Sequence, residues 1–219
     1  MSCILNAFTR LPEEKQLHIL DAATECFAEK GYYGASIKEI CHKANISNGA
    51  LYKYFGSKEK LFLAVLNRCQ HILVNHLYRK HTHITHSFFT TVHSYLKEIE
   101  RLHIEYPNYI KVYANLGSNN MENFSQELHD SFMESGTYVL DMVAEAKERN
   151  EIEADIDEKM FSFLLDNYFI LFLYSLVSDY HEKRFRSFLR IEKSDHLTNK
   201  EKINFILDSI RILSKDNKQ

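Results

Sequence analysis

Tryptophan is absent from this chain, proline occurs twice and glycine six times in 219 residues. Proline and glycine interrupt helices and build tight turns. Their scarcity excludes loop-rich and collagen-like chains and leaves room for long unbroken helices. Four of the six glycines fall within residues 31–56, so the rest of the length is almost free of breakers. Long apolar runs are also lacking: the longest, about Tyr168–Val177, is shorter than the roughly 20 residues a bilayer span needs, and no membrane partner is expected. The N-terminus shows no basic segment followed by an apolar core. Cys3, Cys26, Cys41 and Cys69 have neither metal-ligand nor disulfide spacing, which suits small reduced core residues in a cytoplasmic protein. Motifs of catalysis are missing too. There is no phosphate-cradling glycine loop, no Gly-x-Ser-x-Gly and no His-Glu-x-x-His, so neither an enzyme nor a cofactor is expected.

What is present is apolar periodicity of the helical kind, and the expected fold class is all-α. At 45% hydrophobic, the composition suits one small helical domain followed by a larger one. Pro12 with Glu13 and Glu14 starts a helix that runs to about Lys30 and ends at Gly31. Ile37, Ile40, Cys41 and Ala44 then repeat at i, i+3, i+4, i+7, one face of a second helix. Ser36 stands before it, and Ser36 with Glu39 has capping-box spacing. Asn45-Ile46-Ser47 breaks the pattern, and Ser47 is placed to cap a third helix over about residues 48–54. Leu51 and Phe55 form its inner face. Its outer face is Asn48, Gly49, Ala50, Tyr52 and Lys53, which has almost no bulk at its N-terminal end.

That thin end points to nucleic acid. A helix in the major groove must come close enough for its first residues to touch base edges. Glycine inside a helix costs roughly 0.5–1 kcal/mol relative to alanine, so Gly49 at the second helical position asks for a reason, and close approach supplies one. Ser57 caps a following helix whose first N–H groups favour an anion, while Tyr52, Tyr54 and Lys58 flank the groove as phosphate contacts. Charge agrees: residues 31–60 hold five lysines against two glutamates, a net of +3, while residues 121–160 hold twelve acids against three bases, a net of −9.

These residues resemble the TetR family of bacterial transcriptional regulators. The similarity is carried by Phe27-Ala-Glu-Lys-Gly-Tyr32, Ser36-Ile-Lys-Glu-Ile40, Ala44-Asn-Ile-Ser47, Gly49-Ala-Leu-Tyr52, Tyr54-Phe55 and Ser57-Lys-Glu-Lys-Leu61, over about residues 13–66. Asn45 stands where the family more often has glycine, and Gly56 where it usually has a polar residue. The resemblance implies phosphate or sugar contacts from Ser36, Tyr52, Tyr54 and Lys58, and base-edge proximity for Ser47, Asn48, Gly49 and Lys53. It implies a three-helix DNA-binding head over 12–72 and a ligand-binding and dimerisation domain over 73–219. An unknown small-molecule effector would bind the second domain, move the fourth helix and spread two heads apart. The expected function is a ligand-responsive repressor of a pseudo-palindromic double-stranded operator. The alternatives are a DNA-binding dimer that acts by occupancy or as a scaffold, and a metal-responsive sensor.

The fourth helix is expected from Ser57 to roughly Arg79, and five more at about 86–105, 107–116, 122–149, 157–186 and 199–214. Asp155 with Glu158, and Thr198 with Glu201, have capping-box spacing. Helix 157–186 is apolar on every side and must therefore be covered on every side. With Ile203, Ile206, Leu207, Ile210 and Leu213 of the last helix it forms a four-helix interface between two identical chains, or else the central helix of a monomer core. Candidate effector-lining residues are Tyr95, Tyr109, Tyr113, Phe124, Phe132, Tyr138 and Tyr168. His71, His76, His81, His83, His86 and His93 crowd one region and could offer imidazoles to a transition metal. No cysteine or carboxylate stands in ligand spacing beside them, so no metal is assigned.

Overall fold

The computed structural model describes residues 7–78, 87–117, 125–192 and 195–215, and among these every regular element is helical. After a helical turn at residues 7–9 come α1 (Glu13–Gly34), α2 (Ile37–Lys43), α3 (Asn48–Phe55) and α4 (Lys58–Leu73). A π-helical turn, Val74–Tyr78, closes α4. Then follow α5 (Phe88–Glu105), α6 (Pro107–Ala114), α7 (Ser125–Glu148), α8 (Glu158–Val177), α9 (Asp179–Leu189) and α10 (Asn199–Leu213). The chain forms two compact units. The first holds residues 1–72 together with Tyr106–Glu127, the second Leu73–Glu105 with Leu128–Gln219.

In the first unit, the inner stripe of α1 (Ile19, Ala23, Cys26 and Phe27) is buried to within 1% exposure. Phe27 meets Phe62 of α4 edge-on at 4.9 Å between ring centroids. Gly31 ends regular α1, since its φ of 68° lies in the left-handed region that costs glycine nothing. α6 also belongs here: the Tyr109 hydroxyl donates to Asp21 at 2.8 Å, and its carbonyl accepts from the Cys69 thiol at 3.5 Å. Tyr109 of α6 thus ties this helix to α1 and α4. Cys26, Cys41 and Cys69 are free thiols buried in this unit.

In the second unit, the buried core holds Val92, Leu96 and Ile99 of α5, Val139 and Val143 of α7, Phe161, Leu165 and Phe172 of α8, and Ile203, Ile206 and Ile210 of α10. The predicted capping box at Thr198 is formed: its hydroxyl accepts from the Glu201 N–H at 3.2 Å, and the Glu201 carboxylate returns to the Thr198 N–H at 2.7 Å. Two expectations need correction. Asp157, not Asp155, caps α8, accepting from Met160 N–H at 2.8 Å. The single helix expected over 157–186 is two, because Ser178 turns extended (φ −134°, ψ 116°) between α8 and α9. Ser178 and Asp179 are residue types whose side chains compete with helix hydrogen bonds and favour helix starts over interiors. By length and composition α8 could cross a membrane, yet seven of its residues are buried among the other helices of the unit.

Candidate nucleic-acid interface

The turn between α2 and α3 follows from one residue. Asn45 takes φ 50°, the left-handed conformation that asparagine tolerates better than most residues. With Asn45 in that state, the Asn45 N–H reaches the His42 carbonyl at 3.2 Å and the Ile46 N–H reaches the Cys41 carbonyl at 3.0 Å. This is the paired Schellman closure of a helix end, so asparagine does here what glycine does elsewhere. The chain then enters α3 through Ser47, whose Oγ accepts from Ala50 N–H at 3.1 Å. At the far end Gly56, at φ 78°, lets its N–H bond the Tyr52 carbonyl at 2.8 Å. Ser57 then caps α4 through the Lys60 N–H at 3.1 Å. Both sequence departures, Asn45 and Gly56, therefore sit at left-handed backbone positions.

Inside α3, Leu51 and Phe55 are sealed to 0% and 1% exposure. Phe8 braces this end from a segment with no motif of its own, its ring 4.6 Å from Phe55 and 6.3 Å from Tyr54. Two bridges fix α2 against α1, Lys30 to Glu39 at 2.6 Å and Lys43 to Glu25 at 2.8 Å. The Lys30 ammonium hydrogen-bonds the Glu39 carboxylate and holds it below the usual carboxylate range. Glu39 therefore does not complete the expected capping box, and Ser36 caps α2 without a side-chain hydrogen bond.

The eight predicted contact residues fall on one region of this unit, with differing freedom. Ser36, Ser47, Asn48, Gly49 and Lys53 are exposed, and Tyr52 is 49% exposed. Tyr54 is half-buried beside Phe8. Lys58 is already engaged: its ammonium donates to the Tyr33 carbonyl at 3.3 Å and lies 4.9 Å from the centre of the Tyr32 ring. Burial there pulls its pKa below the ordinary lysine value. Sequence reasoning passed over Tyr33, an exposed ring 5.1 Å from Tyr32. The only signal for it was its place in Gly31-Tyr-Tyr-Gly34. No acid lies in the first turn of α3, so nothing repels an anion from its N-terminal N–H groups.

The glycine is the informative position. A Cβ built on Gly49 would meet nothing nearer than Ser47 Oγ at 3.9 Å, an ordinary contact. The folded chain therefore has room for a Cβ there.

Comparison with known proteins now has geometry to rest on. Residues 19–65 match the model of the bacterial regulatory proteins of the tetR family. The match lies within the helical head that carries the predicted contact residues. The TetR-type head is 44% identical over 59 residues to the HTH-type transcriptional regulator HbdR of Aromatoleum sp. (strain CIB), covering 26% of each protein. It is likewise 44% identical over 54 residues to the HTH-type transcriptional repressor AcnR of Corynebacterium efficiens, covering 25% of this chain and 29% of that one. The chain thus matches little more than a quarter of the length of these curated relatives. Along the whole fold, it superposes on AibR, solved in complex with isovaleryl coenzyme A and operator DNA, with a TM-score of 0.69 and 13% identity over 90% of this chain and 97% of that one.

The described effector-lining candidates fall in both units. Tyr109 is buried and Tyr113 half-buried in the first unit, while Tyr95, Tyr138 and Tyr168 lie in the second. Phe124 and the side chain of Phe132 lie outside the described residues. Tyr95 stacks on Tyr138 at 5.7 Å and lies 4.2 Å from Phe169. On the same flank of α8, Ser162 is 4% exposed and its hydroxyl has no hydrogen-bond partner among the described residues. One turn on, burial pushes the Asp166 carboxyl above the ordinary aspartate value, and no described residue pairs with it. Of the histidines, His81, His83 and His86 lie outside the described residues. His71 and His93 are exposed, and His76 sits 3.5 Å from the Glu98 carboxylate. Among the described residues no three histidine, cysteine, aspartate or glutamate side chains are grouped as a metal would need.

Proposed function

We propose that this protein is a transcriptional regulator, a repressor that binds a pseudo-palindromic operator as a homodimer and leaves it when a small molecule occupies the second unit. The observation that carries the reading is the open space over Gly49 on a helix whose other face is fully sealed. A recognition helix enters the major groove by its N-terminal residues, and in α3 these are Asn48, Gly49 and Ala50, with Lys53 one turn on. Tyr52, Lys53 and Tyr33 flank that end as polar and cationic groups for phosphate.

Pairing is supported by α8. Met160 is 68% and Phe163 69% exposed, and Leu164, Ile170 and Leu171 are open as well. Contiguous apolar surface of this kind marks a protein interface in a water-soluble chain, and two copies burying it make the four-helix contact expected from sequence. Two joined heads read two half-sites about one helical turn apart, which one short helix cannot do. An effector is supported by Ser162 and Asp166, because a buried hydroxyl and a half-buried carboxyl without partners among the described residues cost stability unless something else satisfies them. The effector needs only unequal affinity for the DNA-competent and DNA-released states.

The test is a mobility-shift titration of the purified protein against duplex fragments of its own genome at rising salt. Binding whose logarithmic affinity falls linearly with the logarithm of salt concentration is expected. Absence of salt-sensitive binding to every fragment overturns the reading.

A further inference from the structure

No sequence signal marked α9 as a separate helix, and no residue of it is fully buried. It nevertheless closes a cavity. In the second unit, α8, α9 and α10 enclose a pocket of about 90 Å³ whose walls include the rings of Tyr168, Phe185, Phe188 and Phe205. Its basic lining is His181 and Arg184 of α9, and among the described residues no carboxylate lines it. The pocket is on a different flank of α8 from Ser162 and Asp166, since Tyr168 lies two positions, about 200°, round the helix from Asp166.

The two basic groups are held differently from the rest of α9. Arg186 is committed to the Glu182 carboxylate at 3.6 Å and the Glu192 carbonyl at 3.0 Å. The His181 ring is fixed in place, stacked on Tyr174 at 4.9 Å with Nδ1 3.1 Å from the Ser178 hydroxyl. Arg184 is exposed and forms no ion pair with a described residue. Phe188, at 70% exposure, stands over the mouth. An apolar hollow with a guanidinium at its rim and no acid in its lining matches an occupant that is apolar at one end and anionic at the other. A guanidinium takes a carboxylate through two parallel hydrogen bonds. The volume is smaller than the roughly 150 Å³ of a cavity that holds benzene, so it admits a short tail or the edge of a ring.

We propose that the α8–α9–α10 pocket binds a monocarboxylate bearing a short aliphatic or aryl group, with Arg184 meeting the carboxylate and the rings of Tyr168, Phe185 and Phe188 holding the tail. Carboxylate binding is measured without DNA and so is tested apart from the operator reading, although Leu171, which also lines the pocket, belongs to the apolar face proposed for pairing.

The test is calorimetric titration of the full chain with hexanoate and benzoate, with hexylamine and hexanol as matched probes. The carboxylates bind, the amine and alcohol at least about tenfold more weakly, given the strength of charge-assisted pairs. Arg184→Gln loses about tenfold for hexanoate while Lys183→Gln leaves it unchanged. Hexanoate raises the melting temperature of the wild type and not of Arg184→Gln, whose unliganded melt reports that it folds. Equal binding of hexylamine, no carboxylate binding, or wild-type affinity in folded Arg184→Gln overturns the proposal. So does a Phe188→Ser variant that becomes monomeric in sedimentation while no carboxylate binds the parent, which assigns the pocket to a second copy of this chain.

Discussion

Two helices of this protein bury one face and leave the other open, and their open faces are opposite in chemistry. α3 seals Leu51 and Phe55 and presents Asn48, Gly49 and Lys53. α8 seals Phe161, Leu165 and Phe172 and presents Met160, Phe163 and Ile170. A small, polar, acid-free face suits a wet and highly charged partner, approached at backbone distance. An apolar face suits a partner that removes it from water. The lesson is that the inner faces say that both helices fold, and only the outer faces say what each is for.

The largest expected effect attacks the first face. Gly49→Leu fills the open space, so DNA affinity falls by two orders of magnitude or more in a mobility shift, about 3 kcal/mol by the usual conversion. The melting temperature holds or rises, because leucine is the better helix former and a Cβ at this position meets nothing nearer than 3.9 Å. Loss of both binding and fold would place the glycine's role inside the protein. Next, Phe163→Asp puts a charge in the apolar stripe of α8. Sedimentation is expected to show monomers, with operator affinity lost alongside; a variant that stays paired removes α8 from the interface.

Lys53→Ala comes third. It weakens binding to all sequences that share the contact and lowers the salt slope by about one if the ammonium meets phosphate. If it meets a base edge, sequence preference changes and the slope stays near wild type. A smaller effect separates the two serines that start α2 and α3. Ser47→Ala loses a cap bond and about 1 kcal/mol in a denaturant melt, whereas Ser36→Ala, with no cap bond to lose, leaves stability unchanged and is read only in DNA affinity.

The smallest effect probes the second unit. Burial raises the Asp166 carboxyl pKa in the folded chain above its unfolded value, so the ionised form costs stability at neutral pH, and protonation removes that cost. Asp166→Asn is therefore expected to raise the melting temperature by a few degrees at pH 7. The gain should shrink as pH falls through the raised pKa and vanish below the ordinary aspartate range. A gain that does not change with pH would show that the carboxyl is not the destabilising group.

How much could be read in advance follows the same division. The head was legible because its determinants are local: a cap at Ser47, a stripe at Ile37, Ile40 and Cys41, a turn at Asn45. Even there, Glu39 went to Lys30 across the fold and Phe8 braced α3 from an unpatterned segment, because both depend on contacts between elements. The second unit was legible as helices and little further. Ser178 splits a stretch whose apolar content runs on without change, and no pattern in Tyr95, Tyr109 and Tyr168 told which unit or which flank each would join. α9 has no fully buried stripe to announce it, so its pocket emerges only once α8 and α10 are in place.

The most direct measurement of the central claim is the affinity of wild type and Gly49→Leu for one selected genomic duplex across a series of salt concentrations, with thermal melts of both proteins. The account predicts steeply salt-dependent binding for the wild type and near-complete loss in an equally stable variant. Equal affinity of the two proteins, or no duplex bound by either, would contradict it.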